Sequence, residues 1–138
     1  MTTLKIVVDT NVMISAILSP RGNAAKIINI IADNEEIKLF YSAEIMAEYR
    51  EVLSRKRLNI DPKKRAAYIE AIKDAGIEVE PAASDISLPD ESDRIFYDVA
   101  LKTGAILITG NKKHYPDETF IKLPAEFLRL LDKLNQTS

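Results

Sequence analysis

The feature that most constrains the fold is a short, β-branched run over Leu4 to Val8, apolar at every position but Lys5, repeated in kind over Ala105 to Thr109. A strand that is apolar on consecutive positions has no face to give to water, so both faces must be covered, as in a parallel sheet with helices on either side. The stretches between such runs supply the helices. Asn11 to Leu18 reads as helical and is stopped by Ser19-Pro20-Arg21-Gly22. Asn23 is placed to cap a helix through Asp33 with Ile27, Ile28, Ile30 and Ile31 as its apolar side. Ile37 to Tyr41 reads as a second strand, and Ser42 as the cap of a helix to about Arg55. Asp61-Pro62 opens a helix that ends at Ala75-Gly76, with Pro at the start and Gly at the end as helices prefer.

The second half continues the alternation. Ile77 to Glu80 reads as a strand, Pro81 to Pro89 as a loop, and Asp90 to Thr103 as a helix stopped by Gly104. After the strand Ala105 to Thr109 come a polar loop to Glu118, a strand over Phe120 to Leu123 and a helix over Pro124 to Leu134. The expected fold is α/β: three layers, α/β/α, around a central, mostly parallel sheet of four to five strands, Rossmann-like in plan. Residues 1–134 form one domain in this reading, and 135–138 a frayed tail. In such sheets ligands bind beyond the carboxyl ends of the strands, near the switch in strand order. Asp9 and Thr109 both sit at strand ends.

Composition narrows the chemistry. The 138 residues hold no cysteine and one histidine, which excludes a disulfide framework, a thiolate zinc site, a cysteine nucleophile and a histidine cage. No signal-peptide pattern and no membrane-length apolar run is visible, so a cytoplasmic location is expected. The formal net charge of −2 does not announce nucleic-acid binding. Basic residues nevertheless cluster at Arg50, at Arg55-Lys56-Arg57, at Lys63-Lys64-Arg65 and at Lys112-Lys113-His114. Each cluster alone fits a solvated helix face or loop; several on one side would make a phosphate-binding rim.

Three acids stand in places that ask for a partner. Asp9 ends the first strand. On the helix after Ser42, Glu48 falls within roughly 60° of Ile45 and Val52 on the helical wheel, inside the apolar stripe, whereas Glu44 and Glu51 lie at its edge or beyond. On the helix from Asp90, Asp93 precedes Ala100 by about two turns and shares the face of Phe96, Val99 and Ala100, while Asp98 is expected to point outward. Each has an ordinary reading: Asp9 as an N-cap, Asp93 closing a capping box with Asp90, Glu48 reaching to the helix edge. Together, three carboxylates at one cleft would repel unless a hard cation joined them. Mg²⁺ and Mn²⁺ suit oxygen ligands and phosphate substrates, and serve phosphodiester hydrolysis.

The segments that carry these acids resemble the PIN-domain nucleases. "VVDTNVMIS" is similar to the first motif of that family, "SAEIMAEYREVLSR" to the second with Glu48 as its acid, and "PDESDRIFYDVALKTGAILITGN" to the third and fourth. The resemblance covers nearly the whole chain and carries over Asp9, Glu48 and Asp93 as catalytic residues and metal ligands. It departs at Asn111, where the family often has an acid, and at Lys113; "ITGNKKHYP" resembles a sub-branch with Asn and His in this loop. Asn111 is carried over as a catalytic-site member without charge, and Asp90 as an auxiliary ligand. The resemblance implies a Mg²⁺- or Mn²⁺-dependent ribonuclease, an RNA substrate, and for many small members a role as the toxin of a toxin–antitoxin pair, dimeric and held by a small antitoxin. The alternative is a degenerate PIN domain that binds RNA or a protein without cutting.

The remaining candidates are supporting ones. Asn11 is placed to hold the rotamer of an acid, Ser15 to face the same cleft one turn on, and Thr109 to bring a hydroxyl there. Lys112, Lys113 and His114 are candidates for phosphate contact, or keep the loop wet. Two other fold classes with a strand-end Asp fit less well. An aspartyl-phosphate phosphatase normally has a second Asp where this chain has Asn11, and a receiver domain needs acids where it has Val7-Val8.

Overall fold

The computed structural model describes residues 3–136. Its sheet has five strands, β1 (Leu4–Val8), β2 (Ile37–Tyr41), β3 (Gly76–Glu78), β4 (Ile106–Ile108) and β5 (Ile121–Lys122), all parallel, in the order β3-β2-β1-β4-β5. The helices are α1 (Thr10–Leu18), α2 (Asn23–Asp33), α3 (Ala43–Leu53), α4 (Pro62–Ala75), α5 (Arg94–Thr103) and α6 (Pro124–Gln136). The layers are α/β/α as expected, and the sheet is wholly rather than mostly parallel. Ile6, Val7 and Val8 are fully buried in succession, as are Leu107 and Ile108, so β1 and β4 are covered on both faces. No helix among the described residues is long and apolar enough to cross a membrane.

Strand order reverses between β1 and β4: the chain first builds outward to β2 and β3, then returns to the other side of β1. The crevice at the carboxyl end of these two strands is where an α/β sheet offers a ligand site. Among the described residues, four of the five buried polar residues lie at strand ends: Asp9 and Thr10 after β1, Ser42 after β2, Thr109 after β4.

Local signals were obeyed with small departures. Ser42 Oγ accepts from the N–H of Ile45 at 3.1 Å and caps α3; Asp61 Oδ1 accepts from the N–H of Lys63 at 3.0 Å and caps α4. The cap position of α2 belongs to Gly22, not Asn23, which is already helical. The helix expected from Asp90 starts as a 3₁₀ turn, Glu91–Asp93, before α5 proper. It ends as expected at Gly104, whose φ of 71° is the left-handed conformation that suits glycine. α6 runs through Asn135 and Gln136, assigned from sequence to a frayed tail; Thr137 and Ser138 lie outside the described residues.

Asp98 requires a correction. It is buried, not outward-facing. The segment 79–90 lies over α5 on the side the wheel leaves to water. Arg94 Nη1 donates to the carbonyl of Ser84 at 2.8 Å and Nη2 to that of Ile86 at 2.6 Å, and Asp98 Oδ2 accepts from the N–H of Ser84 at 3.3 Å. Leu88 is buried in the core from the same segment. An irregular strap thus covers a helix that a wheel treats as half exposed.

Candidate metal-binding active site

Asp9 is the centre of the crevice. It occupies the N-cap position of α1, but its carboxylate makes no capping hydrogen bond of ordinary geometry; the helix start is served by its backbone carbonyl, which accepts from Val12 N–H at 3.0 Å. The carboxylate is turned across the sheet. Its Oδ2 accepts from Thr109 Oγ1 at 2.9 Å and from the Tyr115 hydroxyl at 2.8 Å. Burial pushes its pKa up, against the pull of those two hydroxyls and the nearby N–H groups of Thr10 and Asn11.

Thr109 is itself held. Its hydroxyl donates to Asp9 and accepts from the N–H of Asn111 at 3.0 Å and from Asn11 Nδ2 at 3.5 Å. Asn11 Oδ1 accepts in turn from Gly110 N–H at 2.9 Å. Asn11 therefore ties α1 to the end of β4, and acts on Asp9 through Thr109. Gly110 is crowded on this side: a Cβ there would lie 3.3 Å from Asn11 Oδ1.

Glu48 comes from α3 and is half-buried, with Oε2 accepting from Thr10 Oγ1 at 2.6 Å. The next residue, Tyr49, is fully buried and its hydroxyl donates to the carbonyl of Val8. Two adjacent side chains of α3 thus grip the junction of β1 and α1, and they fix where Glu48 is presented.

Asp93 ends the 3₁₀ turn ahead of α5. The capping-box alternative is not formed: Asp90 Oδ1 accepts from the N–H and Oγ of Ser92 at 3.0 and 2.8 Å, and Asp93 makes no side-chain cap bond. Asp93 Oδ2 is buried without a hydrogen-bond partner; His114 Nδ1 stands 3.3 Å away but out of alignment for one. Burial first, then the charges of Asp9 and Asp90, lift the Asp93 pKa to about 6, with His114 pulling the other way. Asp90 is exposed, and its bonds to Ser92 hold it below the usual carboxylate range.

The structure brings the predicted acids together only in part: among the described residues, Asp9, Glu48 and Asp93 form no group of three with ligand atoms within 4.8 Å of one another. Asp90, Asp93 and His114 bring ligand atoms within 4.8 Å of one another. The charge of Asp9 adds to the burial that raises the Asp93 pKa, and burial first, then the charges of Asp9, Asp93 and Glu48, raise that of Tyr115. Among the described residues no Lys or Arg reaches Asp9, Glu48 or Asp93 within ion-pair distance. An orphaned buried carboxylate oxygen, mutually repelling acids and an oxygen-rich donor set fit a hard divalent cation.

The supporting candidates divide. Asn111 is exposed and contributes its backbone to Thr109 and, through its carbonyl, to the N–H of His114 at 3.0 Å. Ser15 is exposed on α1. Lys112 is paired with Glu126 of α6 at 3.2 Å, which pins the loop; Lys113 is exposed and has no ion pair among the described residues. Sequence reasoning missed Thr10, Tyr49 and Tyr115. The one signal for Tyr115 was an aromatic inside an otherwise polar loop.

Comparison with known proteins identifies the family. The PIN domain matches residues 5–113, which include every acid of the crevice. The chain is 32% identical over 112 residues to the uncharacterized protein MJ1680 of Methanocaldococcus jannaschii, covering 79% of this chain and 72% of that one. Its fold is similar to a chain in the crystal structure of VapBC2 from Rickettsia felis bound to a DNA fragment from their promoter. That likeness has a TM-score of 0.59 at 14% identity, over 87% of this chain and 98% of the other. With a PIN domain matched over most of its length, and with its acids gathered at the β1–β4 crevice, the chain belongs to the PIN-domain family.

Proposed function

We propose that this protein is an endoribonuclease that needs Mg²⁺ or Mn²⁺ and hydrolyses RNA phosphodiester bonds, working in the cytoplasm as the toxin of a toxin–antitoxin pair. The observation that carries the reading is the buried Oδ2 of Asp93, which makes no hydrogen bond of ordinary geometry and has His114 Nδ1 near it at 3.3 Å, beside the buried acid Asp9. Asp9, Glu48 and Asp93 are the residues that would hold the cation, with Asp90 and His114 at its edge. The chemistry a divalent cation supplies when bound is activation of a water and neutralisation of phosphoryl charge. The chain's own work is positioning: Thr109 and Tyr115 fix the rotamer of Asp9, Thr10 fixes Glu48, and Asn11 fixes Thr109.

A homodimer and a small antitoxin complete the proposal. The solved chain of like fold comes from a VapBC2 assembly seated on promoter DNA, which supports a partner-bound life for this chain. A second reading, a PIN domain that binds RNA without cutting, is favoured by one observation: Asn111 brings no charge and turns only its backbone to the site. Cleavage of an end-labelled RNA panel separates the two. The nuclease reading expects products with Mn²⁺, none with EDTA, and none from Asp9→Asn or Glu48→Gln. Intact RNA under all conditions, with tight binding, supports the second.

A further inference from the structure

The basic clusters left over from the sequence converge on one hairpin. Residues 50–65 hold seven Lys and Arg against two acids, a net +5 in a chain of net −2, so the remainder carries −7. They span the end of α3, a 3₁₀ turn at Lys56–Leu58, a left-handed turn at Asn59 (φ 51°) and the start of α4. Arg55 is paired with Glu51 at 2.9 Å; Arg50, Lys56, Arg57, Lys63, Lys64 and Arg65 have no ion pair among the described residues. Arg50 and Arg65 both line a groove of about 310 Å³, together with Pro62, Ala66 and Ile69, with Glu70 its one acid.

We infer that this groove is a docking surface for the phosphate backbone of single-stranded RNA, outside the cutting site. Two guanidinium groups lining one groove match phosphate by forked hydrogen bonds, and the apolar side chains beside them suit a ribose or base face. Its place relative to the acids is fixed by one helix. Arg50 lies two residues past Glu48 on α3, about 200° round it, so one helix width of about 10–12 Å separates groove from crevice. A strand held in the groove would cross the end of α3 to reach the acids. The inference rests on RNA as the substrate, as proposed above.

The test is fluorescence anisotropy with a labelled single-stranded 20-mer RNA, in EDTA so that nothing is cut, from 50 to 200 mM KCl. Each phosphate contact on a single strand contributes about 0.7 to the slope of log Kd against log salt. The variant Arg50→Gln/Arg65→Gln is expected to lose about 1.4 of that slope, about 0.7 for each of its two contacts. Arg50→Lys/Arg65→Lys is expected to keep it, and Lys26→Gln on α2 to leave it unchanged. A wild-type slope in the double Gln variant overturns the inference. So does an equal loss in Lys26→Gln, or competition by polyglutamate as effective as by unlabelled RNA at matched charge. The nuclease reading fails separately: a wild type that binds through Arg50 and Arg65 but never cuts with Mn²⁺ loses that reading and keeps this one.

Discussion

Tyr115 and Thr109 share one carboxylate oxygen, and the cost of losing either is set by what remains. Asp9 is buried, so a missing donor is not replaced by water. Tyr115→Phe is expected to lower stability by about 2 kcal/mol, in the range for hydrogen bonds to charged groups, as chemical denaturation would measure. Mn²⁺-dependent cleavage is expected to fall roughly 10–100-fold, the usual effect of removing a group that orients a metal ligand. Asp93 gives a pH dependence with a definite sign. Its pKa is raised to about 6 from an ordinary 3.8, so its charge costs stability, fully above pH 6 and less as pH falls from about 6 toward 3.8. Metal-free protein should therefore gain in melting temperature on acidification from pH 7.5 to 5.5 relative to Asp93→Asn. Parallel pH profiles for the two proteins would contradict the assignment.

α3 and α5 show what holds the acids in place and why sequence reached only part of it. Capping by Ser42 was legible because it is local, and its loss in Ser42→Ala should cost about 1 kcal/mol and loosen the helix that presents Glu48. The grip of Tyr49 on Val8 was not legible, since the wheel places a ring but not the partner of its hydroxyl, 41 residues away. Asp9 and Thr109 were found because each ends an apolar run. Tyr115, 106 residues from Asp9, was not, because no local pattern marks a contact between two loops. Asp98 failed for a different reason: a helical wheel knows nothing of a strap laid across the helix. That strap leads to a prediction. Among the described residues Arg94 is the one cation paired with Asp98, at 3.9 Å, and it also binds Ser84 and Ile86. Arg94→Ala leaves a buried charge without a counter-ion and should cost about 3 kcal/mol. Limited proteolysis should then cut first within 79–90.

At the scale of the whole molecule, the topology decides where chemistry can occur. The order β3-β2-β1-β4-β5 puts the switch in strand order between β1 and β4, and the polar residues that follow those strands converge there. The rest of the sheet is closed by core. The charge is divided in the same spirit: acids at the crevice, cations on the α3–α4 hairpin, with α3 belonging to both. The account stands on the claim that the crevice acids form a divalent-metal centre. Thermal unfolding of wild type beside Asp9→Asn, in EDTA and then with rising Mn²⁺, tests it most directly, because a ion that binds only the folded state raises the midpoint by mass action. The account predicts that Mn²⁺ raises the wild-type midpoint progressively and leaves that of Asp9→Asn near its EDTA value. Equal responses in the two proteins, or none in either, would contradict it.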